Sequence, residues 1–290
     1  MKKIGIIGGS GLYQLEGMEN VEEVNVPDTP FGPPSDQFIT GELGGAQIVF
    51  LARHGKGHRI SPSTINYRAN IFAMKRMGVE AIISVSACGS LKEELKPMDF
   101  VVPDQFIDRT SRTREASFFT EGIVAHVSLA NPVSPELSKI LVESGKESGA
   151  TMHEGGTYIN MEGPQFSTKA ESNLYRSWGA DIIGMTNMVE AKLAREAEIA
   201  YASLSAVTDY DCWHEGHDAV TVEMIIKNLT TNVAKAKEIL KYAIPKAACV
   251  EKYIDEDALK NALITDPAVI PEQKKKELEV LIGKYDQVNV

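Results

Sequence analysis

Several short apolar runs of this sequence are followed by polar clusters that contain glycine, and each cluster could hold an anion. The first is Gly8-Gly9-Ser10-Gly11. Its small residues let backbone N–H groups approach a phosphate closely, although a tight turn beneath a helix has the same composition. The spacing matches neither the dinucleotide fingerprint G-x-G-x-x-G nor the Walker motif with its lysine. Ser10 is therefore a candidate phosphate ligand that needs support from other segments.

The second cluster, Arg53-His54-Gly55-Lys56-Gly57-His58, follows an apolar run that ends at Ala52. Open α/β sheets bind their ligands at the carboxyl ends of such buried strands. Arg53 needs a counter-charge, which either a bound phosphate or an internal salt bridge would supply. His54 and His58 have the i, i+4 spacing of a metal pair, but the two glycines between them disfavour a helix. We therefore expect no metal here.

The third cluster lies within Ser84-Val85-Ser86-Ala87-Cys88-Gly89-Ser90, again an apolar run that enters a glycine turn. Ser86 offers a hydroxyl group and backbone donors to an anion. Cys88 has no obvious activating base or partner thiol in the sequence. A buried structural role for this cysteine is favoured over a nucleophilic one.

The fourth cluster, Met185-Thr186-Asn187-Met188-Val189-Glu190, lies at a predicted junction between a strand and a helix. Thr186 comes just before the helix N-terminus, where anions are stabilised. Asn187 and Glu190 have the spacing of a capping box. That spacing predicts a structural role for Glu190 rather than a catalytic one.

The fifth cluster is Thr208-Asp209-Tyr210-Asp211-Cys212-Trp213, where the apolar run Ile199–Val207 ends in two carboxylates. Two carboxyl groups that bracket one residue can point into a cleft, one as a proton donor and one as an acceptor. His214, Glu215 and His217 follow and raise the question of a metal site. Their spacing fits no recognised zinc motif, so we expect none.

Short apolar runs alternate with segments of helical period, which predicts an α/β fold with a central mixed sheet flanked by helices. Strands are predicted over Lys3–Ile7, Gln47–Ala52, Ala81–Val85, Phe100–Val102, Ile123–Val127, Thr157–Met161, Asp181–Ile183 and Ile199–Val207. Helices are predicted over Thr64–Met77 before Gly78, after Ser134-Pro135, after Thr168 with Glu171 in a capping box, after Asn187, and from about Thr221 to Tyr242.

The composition fits a soluble globular protein. The chain has 290 residues, of which 43% are apolar, and 30 basic against 40 acidic residues give a net charge of −10. This negative charge disfavours chain-wide binding to nucleic acid. The 3 cysteines are too few and scattered for a disulfide framework, and no apolar stretch is long enough for a signal peptide or a membrane span. We expect a cytoplasmic protein with no membrane partner.

No internal repeat or low-complexity linker divides the chain. We predict one domain over residues 1–250, followed by a C-terminal helical appendage over residues 251–290. The appendage is distinguished by its higher charge, by Pro267 and Pro271, and by the run Lys274–Lys276. Its mixed charges are typical of a solvated helix face.

Taken together, these segments resemble the S-methyl-5′-thioadenosine phosphorylases, within the trimeric purine nucleoside phosphorylase group. The matching stretches occur in family order and extend over roughly residues 1–245: IGIIGGSGL, TPFGPPS, LARHGKGH, ACGSL, QFIDRT, MEGPQFSTKAES, WGA and AVTDYDCW. The sequence departs from the family pattern at two positions next to the implied site. Gln165 stands where an arginine is frequent, and Val189 stands where a proline is frequent. Ser10 and Ser86 replace threonines of some relatives and keep the hydroxyl group.

The resemblance implies a role for each matching residue. It implies a phosphate site made of Ser10, Arg53, His54, Ser86, the Ala87 backbone and Thr186. It places Met185 against the ribose, Phe166 and Ser167 near the purine, Asp209 and Asp211 at the base edge, and Val222 and Ile225 around the methylthio group. It also implies that His126 is lent to that pocket by a neighbouring subunit, as in a homotrimer or a dimer of trimers.

The implied reaction is phosphorolysis of a methylthio nucleoside, with phosphate as co-substrate and no metal or redox cofactor. Asp209 is the expected proton donor to purine N7. The Asp-Tyr-Asp segment favours a 6-aminopurine, whose N–H a carboxylate accepts, while 6-oxopurine relatives carry asparagine there. The alternatives are a purine nucleoside or methylthioinosine phosphorylase, a dinucleotide-dependent oxidoreductase that uses the first glycine loop, and a non-catalytic purine-binding module.

Overall fold

The computed structural model describes residues 1–9, 11–12, 15–110, 114–214 and 222–285, without the side chains of residues 222–227. Within these residues the strands form one mixed sheet with helices on both faces, so the predicted α/β class is confirmed. The strands are β1 (Lys3–Gly8), β2 (Glu19–Val24), β3 (Phe38–Leu43), β4 (Ala46–Ala52), β5 (Val79–Ser90), β6 (Phe100–Val102), β7 (Gln105–Arg109), β8 (Met152–Glu154), β9 (Thr157–Met161), β10 (Ile182–Gly184) and β11 (Ala200–Asp209).

Strand β5 is the centre of this sheet. The sheet order is β2-β3-β4-β1-β5-β10-β9-β7, and β11 also pairs with β5 and with β6, which pairs in turn with β8. β5 is parallel to β1 and β11 and antiparallel to β10. Because β1, β4, β5 and β11 run in the same direction, their carboxyl ends lie at one edge, where open sheets bind ligands.

The helices are α1 (Tyr67–Arg76), α2 (Pro135–Glu147), α3 (Lys169–Ser177), α4 (Asn187–Glu196), α5 (Val222–Ala248), α6 (Glu272–Glu277) and α7 (Glu279–Ile282). Several ends follow the predicted signals. Ser134 caps α2, and Thr168 forms the predicted capping box of α3. Gly78 takes a φ of 79° just after α1, a conformation that glycine adopts without strain.

Two apolar clusters cover the opposite faces of the sheet. One joins β1 and β5 to α2 and α5 through side chains such as Ile6, Leu141 and Ile244. The other joins the sheet to α1 and α4 through Phe72 and Leu193, among others. Both faces of β5 and β11 are therefore buried, which explains why these strands read as continuous apolar runs.

The strand predictions hold for the buried strands and fail at the surface. The prediction for Ile123–Val127 is wrong, because only an isolated bridge between Ala125 and Leu263 forms there. β2 was not predicted because its residues are mostly exposed and acidic, and β7 and β8 also lack a buried run. β3 was not predicted because its sequence, FITGEL, has Thr40, Gly41 and Glu42 in the middle and therefore shows neither an apolar run nor an apolar–polar alternation.

The segment after residue 250 packs on the α1 and α4 face. Its regular parts are α6, α7 and short 3-10 helices over Ile254–Asp257, Pro267–Val269 and Gly283–Tyr285. Leu259, Leu278 and Leu281 are buried in the same cluster as α1 and α4. Glu198, just after α4, accepts hydrogen bonds from the Leu259 backbone and the Tyr285 hydroxyl.

Candidate active site

The residues predicted to do chemistry converge on β5. Between Ala81 and Ser90, Ser86 and Ala87 are the residues that are not buried, so the strand has an opening to solvent at this point. Arg53 donates to the Val85 carbonyl on one side of the opening, and Asp209 pairs with Gly89 on the other. Four residues of extended strand span about 13 Å. The two ends of the candidate site are therefore separated by about 13 Å along β5.

Arg53 is buried in an ion pair with Glu190. Its Nε and Nη2 atoms donate to the two carboxylate oxygens, Nη2 also donates to the Ser84 hydroxyl, and Nη1 donates to the Val85 carbonyl at 3.3 Å. Burial opposes the charge of the guanidinium, but the Glu190 carboxylate outweighs it and raises the pKa of Arg53. The sequence left two counter-charges possible for Arg53, a bound phosphate or an internal salt bridge. The structure shows the internal salt bridge, with Glu190.

The capping role predicted for Glu190 is wrong. Helix α4 begins at Asn187 with Thr186 as its N-cap residue. The Thr186 side chain makes no capping hydrogen bond, and the Met188 N–H in the first turn donates to Asn160 Oδ1 at 2.9 Å. The Glu190 carboxylate points into the sheet instead, where it also accepts from Ser84 Oγ at 2.8 Å and from the Tyr201 hydroxyl at 3.0 Å. Its role is structural, as predicted, but through a long-range ion pair. One Nη1 hydrogen of Arg53 lacks a protein partner in the described residues and is available to an anion.

Ser86 Oγ is the clearest free group at the phosphate end. It is buried and has no hydrogen-bond partner in the part of the chain that the structure describes. A buried hydroxyl without a partner is costly unless a ligand satisfies it. Ser86 therefore has the environment expected for a phosphate ligand, and the exposed Ala87 follows it in the opening of β5.

His54 follows Arg53 and is neutral at physiological pH. Burial and then the charge of Arg53 lower the pKa of His54 to about 4. Nδ1 contacts the Ile60 carbonyl at 2.8 Å, which fixes the hydrogen on Nδ1 and leaves Nε2 as an acceptor. The ring stacks on His58 at 4.2 Å between centroids. His54 is therefore a neutral group with an acceptor at Nε2 rather than a cation.

Thr186 lies at the N-terminus of α4 in a buried polar network. Its hydroxyl donates to Asn187 Oδ1 at 3.1 Å, and the Tyr158 hydroxyl donates to the same oxygen at 3.1 Å. Gly184 makes this possible, because a Cβ atom there would lie 1.8 Å from the Tyr158 hydroxyl. β10 runs antiparallel to β5, with Ile183 opposite Gly89, so the chain after β10 turns back along β5 toward Ser86.

Asp209 and Asp211 form the other end of the site. Asp209 is 7% exposed, and its oxygens accept from Thr208 Oγ1 at 2.7 Å and from the Asp211 N–H at 2.8 Å. Burial raises the pKa of Asp209, against these two hydrogen bonds. Gly89 admits the pair, since a Cβ atom there would lie 3.0 Å from Asp209 Oδ1. Burial therefore makes Asp209 easier to protonate than a free aspartic acid.

Asp211 has an unsatisfied oxygen. Its Oδ2 atom is buried and has no partner in the described residues, and neither does the hydroxyl of nearby Ser172. Burial is the main cause that raises the pKa of Asp211 to about 6; the charge of Asp209 adds to the rise and Ser172 opposes it. The residue takes a φ of 50°, a left-handed conformation that aspartate tolerates better than most residues. Oδ2 is therefore placed to accept from a ligand donor.

A loop over residues 162–168 meets this end of the site. Ser167 accepts from Cys212 Sγ at 3.3 Å through its backbone carbonyl, and the neighbouring Phe166 is 52% exposed. Met185 packs on Gly163, where a Cβ atom would lie 2.4 Å from the Met185 sulfur. The structure therefore brings Phe166 and Ser167 to the Asp209–Asp211 segment and Met185 to the start of this loop.

The remaining predicted site residues either lie wholly or in their side chains outside the described residues, or show no contact with this cluster within them. Ser10 lies outside the described residues. Val222 and Ile225 fall in the first turns of α5, but their side chains are outside the description. His126 is exposed, and its backbone N–H donates to the Ala262 carbonyl. Its recorded contacts in the described residues are with the C-terminal segment rather than with the site.

Some site residues were missed from the sequence. Arg114, 7% exposed, donates to the Met185 carbonyl and pairs with Glu162 at 3.0 Å, so it ties the loop to the strand-helix junction. Thr208 and Ser172 contact the two aspartates. The sequence offers a signal only for Thr208, a hydroxyl beside the predicted acid. Arg114 lies in a polar loop whose partners are distant in sequence.

No group of three or more His, Cys, Asp or Glu side chains in the described residues is arranged to hold a metal ion. Cys88 is buried, as predicted, and burial raises the pKa of its thiol. None of the described helices combines the length and the apolarity that a membrane crossing requires.

Comparison with known proteins agrees with this geometry. A protein from Geobacter sulfurreducens named S-methyl-5′-thioadenosine phosphorylase is 55% identical, and the match covers 97% of this chain and 98% of the relative. A Synechocystis protein of the same name is 57% identical, with 97% and 87% covered.

Solved structures show the same likeness. A methylthioadenosine phosphorylase from an antarctic soil metagenomic library has a TM-score of 0.92 and 49% identity, with 97% of this chain and 98% of that chain covered. The methylthioadenosine phosphorylase of Schistosoma mansoni in complex with tubercidin has a TM-score of 0.80 and 36% identity, with 90% and 96% covered. The sequence model of the phosphorylase superfamily matches residues 3–245. The resemblance carried by the motifs is therefore confirmed, and the chain belongs to the phosphorylase superfamily.

Proposed function

We propose that this chain catalyses the phosphorolysis of S-methyl-5′-thioadenosine to adenine and 5-methylthioribose 1-phosphate. The observation that carries the proposal is the order of groups along β5. The unpartnered hydroxyl of Ser86 and the guanidinium of Arg53 lie at one end of the opening, and the two buried carboxyl groups of Asp209 and Asp211 lie at the other. Relatives named for this activity at 55% and 57% identity support it.

Phosphate is the nucleophile in this reaction. One of its oxygens forms a bond to C1′ of the sugar while the bond from C1′ to N9 breaks, and the electron pair of that bond goes to the purine. The sugar acquires positive charge in the transition state, which the phosphate dianion stabilises when it is held close. Arg53, Ser86, Thr186, His54, the Ala87 backbone and Ser10 are the proposed phosphate ligands. The reaction requires neither a metal nor a redox cofactor.

Asp209 is the proposed acid. Adenine leaves poorly as an anion, so a proton at N7 must neutralise it as the glycosidic bond breaks. A free aspartate, with a pKa near 3.9, is ionised at neutral pH, but burial raises the pKa of Asp209. General acid help of this kind contributes about 10²–10⁴ in rate.

Asp211 supports the choice of a 6-aminopurine. Its unpartnered Oδ2 atom, on a group whose pKa is about 6, is an acceptor at neutral pH. A 6-amino group donates to such an oxygen, whereas a 6-oxo group would place two acceptors face to face. Sites built on a hydrogen bond of this kind discriminate by about 10⁴–10⁵.

The remaining assignments complete the proposal. Met185 lies against the ribose and Phe166 and Ser167 against the purine, while Val222 and Ile225 surround the methylthio group. His126 of a neighbouring subunit closes that pocket, so the active protein is a homotrimer or a dimer of trimers. The proposed location of the enzyme is the cytoplasm. His126 is exposed, and its backbone is attached to the C-terminal segment rather than to the site of its own chain, which supports a role toward another subunit.

The deciding experiment measures release of the free base from S-methyl-5′-thioadenosine and from 5′-methylthioinosine, with and without phosphate. We expect phosphate-dependent release of adenine and at least a hundredfold lower kcat/KM for the inosine analogue. Preference for the inosine analogue would establish the 6-oxopurine alternative instead. Turnover that requires a nicotinamide cofactor, or purine binding without turnover, would reject the phosphorylase proposal.

A further inference from the structure

Thr208 lies in a β-bulge next to the proposed acid. The register between β11 and β5 shifts between Val207, which faces Cys88, and Asp209, which faces Gly89. Thr208 is therefore the extra residue of the pair, 2% exposed. A bulge re-aims the side chains around it, and here it turns the Thr208 hydroxyl toward the neighbouring strand.

The hydroxyl of Thr208 has two acceptors and one hydrogen. Oγ1 lies 3.2 Å from the Cys88 carbonyl and 2.7 Å from Asp209 Oδ2. The carbonyl can only accept. If Asp209 is ionised, both partners therefore compete for the same hydrogen. If Oδ2 carries a proton, it donates to Oγ1, and the Thr208 hydrogen is free for Cys88.

We propose that Thr208 is a positioning residue that keeps Asp209 hydrogen-bonded in both protonation states, by turning its hydroxyl hydrogen between the Cys88 carbonyl and Asp209 Oδ2. This inference rests on the proposed function. As Asp209 gives its proton to the purine, the hydroxyl rotates and its hydrogen bond goes to the new carboxylate. No bond to Thr208 is made or broken.

Thr208 affects the two protonation states of Asp209 unequally because its hydrogen bonds to them differ in strength. A hydrogen bond to a charged acceptor is stronger than one to a neutral acceptor, so Thr208 stabilises the carboxylate more than the acid. The backbone of Thr208 is held by Asn228 Nδ2, which donates to its carbonyl at 2.7 Å. In the described residues, the titratable side chains that interact with Asp209 are Asp211 and the Cys88 thiol. Thr208 is thus the neutral group that adjusts to the charge of the acid.

The test compares Thr208→Val, which removes the hydroxyl at nearly constant volume, with Thr208→Ser, which keeps it. For Thr208→Val we expect kcat to fall about tenfold to a hundredfold, as for loss of a hydrogen bond to a charged group. The KM for phosphate should stay unchanged, and the alkaline limb of the pH profile should move to higher pH. Thr208→Ser should have the kcat and the alkaline limb of the wild type. Thr40→Val, on β3, is the matched control and should match the wild type.

Three results would overturn the inference: a wild-type kcat and pH profile for Thr208→Val, equal impairment of Thr208→Ser, or a raised KM for phosphate with an unmoved alkaline limb. If Thr208→Val does not fold, Thr208→Ala takes its place against Thr208→Ser. Infrared difference spectra of the Asp209 carboxyl, referenced to Asp209→Asn, report its pKa without turnover, and the pKa should rise in Thr208→Val. An inactive wild-type enzyme would reject the function alone, whereas an unmoved carboxyl pKa would reject only the role of Thr208.

Discussion

Arg53 and Glu190, 137 residues apart in sequence, form a bidentate ion pair in which both side chains are almost fully buried. Ser84 and Tyr201 donate to the same carboxylate, so its oxygens are well satisfied. The pair is neutral as a whole. An anion near Arg53 therefore meets a fixed donor and a compensated charge rather than a free cation.

Glu190→Gln should destabilise the protein strongly. Removal of one partner of a buried ion pair leaves an uncompensated charge and costs about 3–5 kcal/mol. Chemical denaturation of wild type and variant measures this difference. Glu115→Gln is the control, because the pair of Glu115 with Arg68 is largely exposed on the glutamate side and should cost at most about 1 kcal/mol.

The same variant tests whether phosphate reaches Arg53. A bound phosphate would supply the charge that Glu190→Gln removes, so phosphate should raise the melting temperature of the variant more than that of the wild type. Equal stabilisation by phosphate in the two proteins would contradict the assignment of Arg53 as a phosphate ligand.

Asp209→Asn should lower kcat by about 10²–10⁴, because the amide has no acidic proton to give to N7. The KM for phosphate should change little, since Asp209 lies at the far end of the β5 opening. Steady-state kinetics in which each substrate is varied measures the change in kcat separately from the change in the KM for phosphate. Asp28→Asn, at an exposed position, is the control. Wild-type turnover by Asp209→Asn would remove Asp209 from the mechanism.

Discrimination between purines should depend on pH. The pKa of Asp211 is about 6, so its carboxyl accepts the 6-amino hydrogen above that pH and becomes protonated below it. The ratio of kcat/KM for the 6-aminopurine over the 6-oxopurine nucleoside should therefore fall as the pH drops through about 6. A ratio that stays constant from about pH 5 to about pH 8 would argue against a contact between Asp211 and the 6-position.

Glu196 should make stability depend on pH. Its carboxylate accepts from the Phe118 N–H at 2.7 Å and the Ser117 hydroxyl at 2.8 Å, but burial outweighs these bonds and raises its pKa from 4.5 to about 7. A carboxyl with a raised pKa takes up a proton on folding. Its stabilising contribution is therefore complete below about pH 4.5 and is lost as the pH rises to about 7.

Glu196→Gln removes this titration. The melting temperature of the variant minus that of the wild type should be more positive at about pH 8 than at about pH 5. Glu143→Gln, at an exposed position of α2, should give the same difference at both pH values. A difference for Glu196→Gln that does not change with pH would show that the carboxyl has an ordinary pKa.

The sequence predicted the features that depend on local pattern. The buried strands, the caps at Ser134 and Thr168, and the order of the glycine loops all follow from neighbouring residues. These local signals located the positions of Arg53 and Asp209 at strand ends.

The features that depend on distant partners could not be read from the sequence. Glu190 has the spacing of a cap, yet a positive charge on another strand determines its direction. Arg114 binds the Met185 carbonyl 71 residues away. The exposed strand β2 is formed by pairing with β3 and not by an apolar run of its own.

The burial of Leu278, Leu281 and Ile282 against α1 and α4 affects when the fold can be completed. The cluster that they fill also contains Ile7 in the first strand, so it joins segments that are far apart in the sequence. Chains fold from the N-terminus during synthesis. The apolar side chains of α1 and α4 in this cluster will therefore stay exposed to solvent until the segment after residue 250 has been synthesised, and a chain that stops near residue 250 will leave them exposed permanently.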